Sequence, residues 1–143
     1  MQREPMPTGA MKAFIRKETE RILDACTRCG KCFEACPMTR YSPALEGAES
    51  KGAVTDVLAL LREEPTNGQA VAWASVCVRS GSCVPACPEN VDPKMMVRIA
   101  RMMASGGLGG EKRIPARHDR DYYDRIRAFA KLQLSESELK DWM

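Results

Sequence analysis

Two short cysteine runs constrain this chain more than any other feature of it. CTRCGKCFEACP (26–37) aligns without gaps on CVRSGSCVPACP (77–88). Cys26, Arg28, Gly30, Cys32, Ala35, Cys36 and Pro37 return as Cys77, Arg79, Gly81, Cys83, Ala86, Cys87 and Pro88. One cysteine position fails to repeat, where Ser80 faces Cys29. All seven cysteines of the chain lie in these runs. An odd number in two tight groups suits a disulfide framework poorly, and the opening residues hold no apolar stretch of the kind an export signal needs. Ligation of a metal or a cluster is the reading that fits.

The first run has the spacing C-x2-C-x2-C-x3-C-P, that of a cubane cluster loop. Three thiolates two residues apart wrap one face of a [4Fe–4S] group, and the fourth points away to serve a neighbouring cluster. Gly30 lets the backbone turn tightly so that amide hydrogens face the sulfides, and Pro37 turns the chain away after the last ligand. Crossing the fourth ligands assigns Cys26, Cys29, Cys32 and Cys87 to one cluster. Cys77, Cys83 and Cys36 fall to the second, with Ser80 where a fourth cysteine would stand. Three options stay open at that corner: a [3Fe–4S] cluster, a [4Fe–4S] cluster whose fourth iron takes the serine alkoxide or an outside ligand, or no stable second cluster. Losing one negative thiolate tends to raise the reduction potential, because less charge then stabilises oxidised iron. Two clusters of different potential would suit a directional relay. Structural zinc is the competing chemistry, but zinc sites usually use two separated cysteine pairs and gain nothing from a third cysteine and a trailing proline.

Around the runs the apolar spacing reads as helix, and no segment alternates convincingly as a strand does. Met11, Phe14, Ile15, Ile22 and Leu23 predict a helix over 11–25 that delivers the chain into the first run. Residues 38–50 read as loop. Val54, Val57, Leu58 and Leu61 predict a helix over about 51–64, ended by Pro65, Asn67 and Gly68, and a third over 69–76 leads into the second run. Asp92 caps a helix that starts at Pro93 and closes before Gly106 and Gly107. A further helix is expected over 119–134, and Ser135 with Glu138 makes a capping box for a last one. The expected fold is all-α, with two cluster loops between helices. It divides into an irregular arm (1–10), a dicluster domain (11–105) and a Gly-rich linker with a helical tail (106–143).

Charge excludes one class of partner: 22 basic and 19 acidic residues leave +3, with no long basic run, so nucleic acid is not expected. No stretch approaches the roughly 20 apolar residues of a membrane span, and a cytoplasmic location is the expectation. His118, the single histidine, sits in the charged stretch RHDRD and reads as a solvated surface residue. No acid–base constellation forms, so no catalytic residue is assigned and a non-catalytic electron-transfer subunit is expected. Arg28, Lys31 and Arg79 lie inside the loops. They either offset cluster charge and attract an acidic partner, or are ordinary solvated charges. Met95, Met96, Met102 and Met103 read as core or interface filler. With Tyr122, Tyr123, Phe129 and Trp142 they could supply an apolar face for a partner.

Both runs, their approach helices and the helix after Pro88, about residues 11–105, resemble the C subunit of heterodisulfide reductase and related α-helical ferredoxin domains. The resemblance implies a domain that relays electrons between a flavin-bearing A-type subunit, or another redox protein, and a catalytic B-type subunit acting on disulfides or related sulfur substrates. Similar bacterial complexes act in sulfur oxidation. The departure is Ser80. Heterodisulfide reductase C subunits generally carry two complete runs. Iron–sulfur subunits of the succinate dehydrogenase type pair one complete run with C-x5-C-x3-C-P holding [3Fe–4S], as at 77–88, but this chain lacks their plant-type ferredoxin domain. Two other functions compete. A free-standing ferredoxin is disfavoured, because small two-cluster ferredoxins have a βαβ-type core and a shorter gap, whereas 40 residues separate Cys36 from Cys77 here. An iron open at Ser80 could instead bind a ligand or substrate as a Lewis acid.

Overall fold

Helices follow the apolar spacing, and their ends follow local chemistry. In the computed structural model, which describes residues 8–108, 126–128 and 130–142, helix α1 spans Thr8–Ala25, α2 Lys31–Ala35, α3 Ser50–Leu61, α4 Gln69–Val76, α5 Pro93–Ala104 and α6 Glu136–Trp142. No strand occurs among the described residues. The architecture is all-α. No described helix is long and apolar enough to cross a membrane.

Three boundaries differ from the sequence reading. Thr8 to Ala10, expected in the irregular arm, already form the first turn of α1, since a single glycine costs a helix only about 1 kcal/mol. Helix α3 stops at Leu61 and not near Glu64, because Glu63 turns left-handed at φ 60°. Its amide then reaches Leu60 O at 3.0 Å and that of Glu64 reaches Ala59 O at 2.9 Å, the bond pair that closes a helix in place of another turn. The expected loop at 38–50 contains two short 3₁₀ turns, Thr39–Tyr41 and Pro43–Leu45. At α5 the expectations hold. Asp92 Oδ1 accepts the Met95 amide at 3.2 Å, and Gly106, at φ 74°, supports the same closing pair to Met103 O and Met102 O.

The chain divides into two units, Met1–Arg113 and Ile114–Met143. In the first, α3, α4 and α5 pack on one another, with α1 against α3 and α5, and α2 against α3. Val54, Val57, Leu58, Trp73, Met96, Val97 and Ile99 fill the core. Asp56 is the buried charge at its edge. From α3 its carboxylate accepts the amides of Asn67 at 2.8 Å and Ala70 at 2.7 Å, so α3 caps the first turn of α4. In the second unit Ala130 is buried, and the capping box forms: the Ser135 amide donates to Glu138 Oε2 at 2.8 Å and the Glu138 amide to Ser135 Oγ at 3.4 Å. Those contacts hold the Glu138 carboxyl below its ordinary pKa. The segment 119–125, His118, Tyr122, Tyr123, Phe129 and the Trp142 side chain lie outside the described structure.

Candidate functional site

The two runs fold alike. Arg28 and Arg79 both take the left-handed conformation at φ 60°, and Gly30 and Gly81 follow at φ 81° and 80°. The Cys36 amide reaches Phe33 O at 3.1 Å, as the Cys87 amide reaches Val84 O at 3.3 Å. Left-handed residues alternating along a short loop turn successive amides to one side, a concavity suited to anionic sulfur. Amides reach the thiols too. Arg79 N lies 3.4 Å from Cys77 Sγ, and Val91 N lies 3.4 Å from Cys87 Sγ.

Long-range contacts decide which cysteines meet. Arg21, in the helix that leads to Cys26, donates to Val91 O at 3.0 Å, four residues beyond Cys87. Phe33, next to Cys32, packs edge-on against Trp73 of α4, ring centroids 5.1 Å apart, and α4 leads to Cys77. Each run therefore carries its last cysteine across to the other run's first.

Two cavities result. The first is lined by Cys26, Cys29, Cys32 and Cys87, with Val54, Val91, Pro93 and Met96 as its apolar wall. The second is lined by Cys36, Cys77, Cys83 and Ser80, with Met38, Trp73, Val78 and Val97. Both are narrow and partly open to solvent, with a cavity volume of about 20 Å3 each. The cysteines are all free. Among the described residues no three His, Cys, Asp or Glu side chains gather closely enough to hold a single metal ion. A wider ring of soft sulfur donors with amides turned toward it fits an iron–sulfur cluster.

Burial pushes the thiols of Cys26 and Cys83 up, and that of Cys32 up to about 12, with neighbouring cysteine charges adding to it. The charges acting on Cys32 come from Cys83 in the other cavity as well as from Cys26 and Cys29 in its own. Ser80 is exposed, and its hydroxyl lies 3.3 Å from Ser82 Oγ and accepts the Ser82 amide at 3.4 Å. Arg28, Lys31 and Arg79 are exposed on the two loops. Three supporting residues went unseen in the sequence: Arg21, Asp56 and Trp73. Of these only Asp56 left a signal, a lone carboxylate among Val54, Val57 and Leu58.

The family model of the 4Fe-4S dicluster domain matches residues 21–91, which include every cysteine of both runs. Residues 21–91 belong to that family. The dicluster domain is an iron–sulfur electron-transfer domain, and the resemblance to heterodisulfide reductase C subunits has a counterpart among curated proteins. The chain is 29% identical over 102 residues to a Methanosarcina acetivorans protein, the C subunit of ferredoxin:CoB-CoM heterodisulfide reductase. The match takes in 71% of this chain and 38% of that relative, so the chain spans less than two fifths of the relative's length. No solved structure matches the chain.

Proposed function

We propose that the chain is the electron-relay subunit of a heterodisulfide reductase-like complex, carrying electrons between a flavin subunit and a catalytic B-type subunit. One observation carries the reading: each cavity is walled by cysteines from both runs, so that each run serves both sites. Cys26, Cys29, Cys32 and Cys87 hold a [4Fe–4S] cluster. Cys36, Cys77 and Cys83 hold the second, which is [3Fe–4S]. In favour of three irons, the Ser80 hydroxyl is exposed and engaged with Ser82, and a serine oxygen is a poorer partner for iron than a thiolate. When bound, the clusters supply one-electron carriers. The protein supplies amides toward sulfur and an apolar wall of Val54, Val91 and Met96 around the first site.

Electron paramagnetic resonance on anaerobically purified protein, with iron counted on the same sample, tests this. A three-iron signal when oxidised, a four-iron signal when dithionite-reduced, and about seven irons per chain are expected. About eight irons with no oxidised three-iron signal would overturn the assignment at Ser80. Co-purification of the tagged chain with flavin and B-type subunits tests the relay, and its failure in the native host would leave a free carrier in its place.

A further inference from the structure

The halves of the repeat share a backbone but differ in what covers them. At the position after the third ligand, Phe33 of the first run is 7% exposed beneath Trp73, whereas Val84 of the second is 37% exposed. At the position after the first ligand, polar Thr27 of the first run is matched by Val78, which is 61% exposed. Ser50 of α3 closes over Gly30, while nothing lies within 4 Å of a side chain built at Gly81. The first site is walled by buried Val54, Val91, Pro93 and Met96, with exposed Thr27 and Glu89 at its edge. The second is walled by buried Trp73 and Val97, with exposed Val78, Arg79, Ser80 and Lys94 at its edge.

Charge on this open side has one sign. The run 77–88 and helix α5 hold no acidic residue, and Lys94, Arg98 and Arg101 follow one another along the exposed side of α5. Arg101 Nη1 is spent on Ala74 O at 3.4 Å. Among the described residues Arg79, Lys94 and Arg98 have no ion-pair partner. Of the two carboxylates between the run and α5, Glu89 lines the first cavity, and Asp92 caps α5 and acts electrostatically on Cys83.

Building on the relay reading, we propose that the second site is the port through which electrons enter or leave, and that its face, Val78, Arg79, Val84, Lys94 and Arg98, docks an acidic redox protein. An exposed aliphatic side chain, Val78, beside the cations Arg79 and Lys94 at the mouth of the second site matches a partner that presents carboxylates around its own redox group. Such complementarity speeds encounter by roughly 10- to 1000-fold and weakens with salt.

The holo-protein is mixed in a stopped-flow instrument with a dithionite-reduced plant-type [2Fe–2S] ferredoxin as the acidic probe, across ionic strengths. Arg79→Glu/Lys94→Glu lowers the second-order rate at low salt by about tenfold or more and flattens its fall with ionic strength. Lys12→Glu/Lys17→Glu, the same charge change on exposed positions of α1, stays within about twofold of wild type. Arg79→Gln/Lys94→Gln falls between, and carries the test if the Glu pair does not assemble its clusters. Equal losses in both reversed pairs overturn the proposal, as does an unchanged rate in the 79/94 variants. A shift of midpoint potential that accounts for the lost rate overturns it too, since the cations then tune the cluster. Iron content and paramagnetic signals on the same samples separate the two levels: wild-type protein without clusters sinks the relay reading, whereas loaded protein with a charge-insensitive rate sinks only the docking face.

Discussion

A methyl group placed on each of the paired glycines makes the asymmetry of the repeat measurable. Gly30 and Gly81 share one position and one backbone conformation, φ +81° and +80°. At Gly81 an alanine meets nothing within 4 Å, so its cost is that of the left-handed backbone, about 1–2 kcal/mol. At Gly30 the same Cβ stands 2.6 Å from Ser50 Oγ and 2.9 Å from the Ser50 carbonyl carbon. The hydroxyl can rotate away. The carbonyl carbon belongs to the first turn of α3, and it moves only if that helix or the first run moves, which adds about 1–3 kcal/mol of overpacking. Gly30→Ala is therefore expected to cost about 2 kcal/mol more than Gly81→Ala, roughly 8–16 °C in the unfolding midpoint of a unit of this size. Far-UV circular dichroism on both holo-variants at one scan rate reads it, with visible absorbance reporting cluster loss. Gly30→Ala should also lose first-cluster iron before second-cluster iron. Equal shifts, or a larger one at Gly81, would refute the argument, because the open space beside Gly81 would then be filled when the protein is loaded.

Other outcomes follow from single contacts. Asp56→Ala strips two backbone amides of a carboxylate that is 6% exposed, a loss of about 3–4 kcal/mol. Since α4 delivers Cys77, titration with an iron chelator should release the second cluster first, and parallel release of both would count against the link. Ser80→Cys completes the second run, so iron should rise by about one per chain and the oxidised three-iron signal should disappear; a persisting signal would show that the corner is closed by the loop and not by the residue type. Trp73→Ala removes a side chain that is 1% exposed and the partner of Phe33, at about 3–5 kcal/mol, and its thermal midpoint should fall below that of Asp56→Asn. The Glu138 carboxyl titrates below the ordinary glutamate range because Ser135 hydrogen-bonds its ionised form. A lowered folded pKa means that its contribution is present above the unfolded value and is lost as pH falls through the folded one. An NMR titration should show the midpoint returning toward that of a free glutamate in Ser135→Ala, and an unmoved midpoint would sink the capping box.

Local chemistry was legible in the residues themselves. Spacing separates cysteine runs from helices because a helix repeats its face every 3.6 residues, and Asp92 before Pro93 or Ser135 before Glu138 start helices through bonds that span three residues. The crossed grouping of the cysteines is an expectation of the pattern, in which the last cysteine of each run points away from its own loop. Where α3 ends was less so: Glu63 takes a left-handed turn that glycine usually takes, and nothing in its own side chain announces it. What only the tertiary structure decided are contacts between residues far apart in the chain. Periodicity says that Val54 or Val57 faces inward and is silent on what it meets. Trp73 covers Phe33, Ser50 closes on Gly30, Arg21 reaches Val91, and nothing comparable among the described residues covers Val78, Val84 or Gly81. Two runs that match at seven of twelve positions thus differ in cover, Phe33 buried and Val84 exposed, because burial depends on which helix arrives overhead and a twelve-residue motif does not encode that.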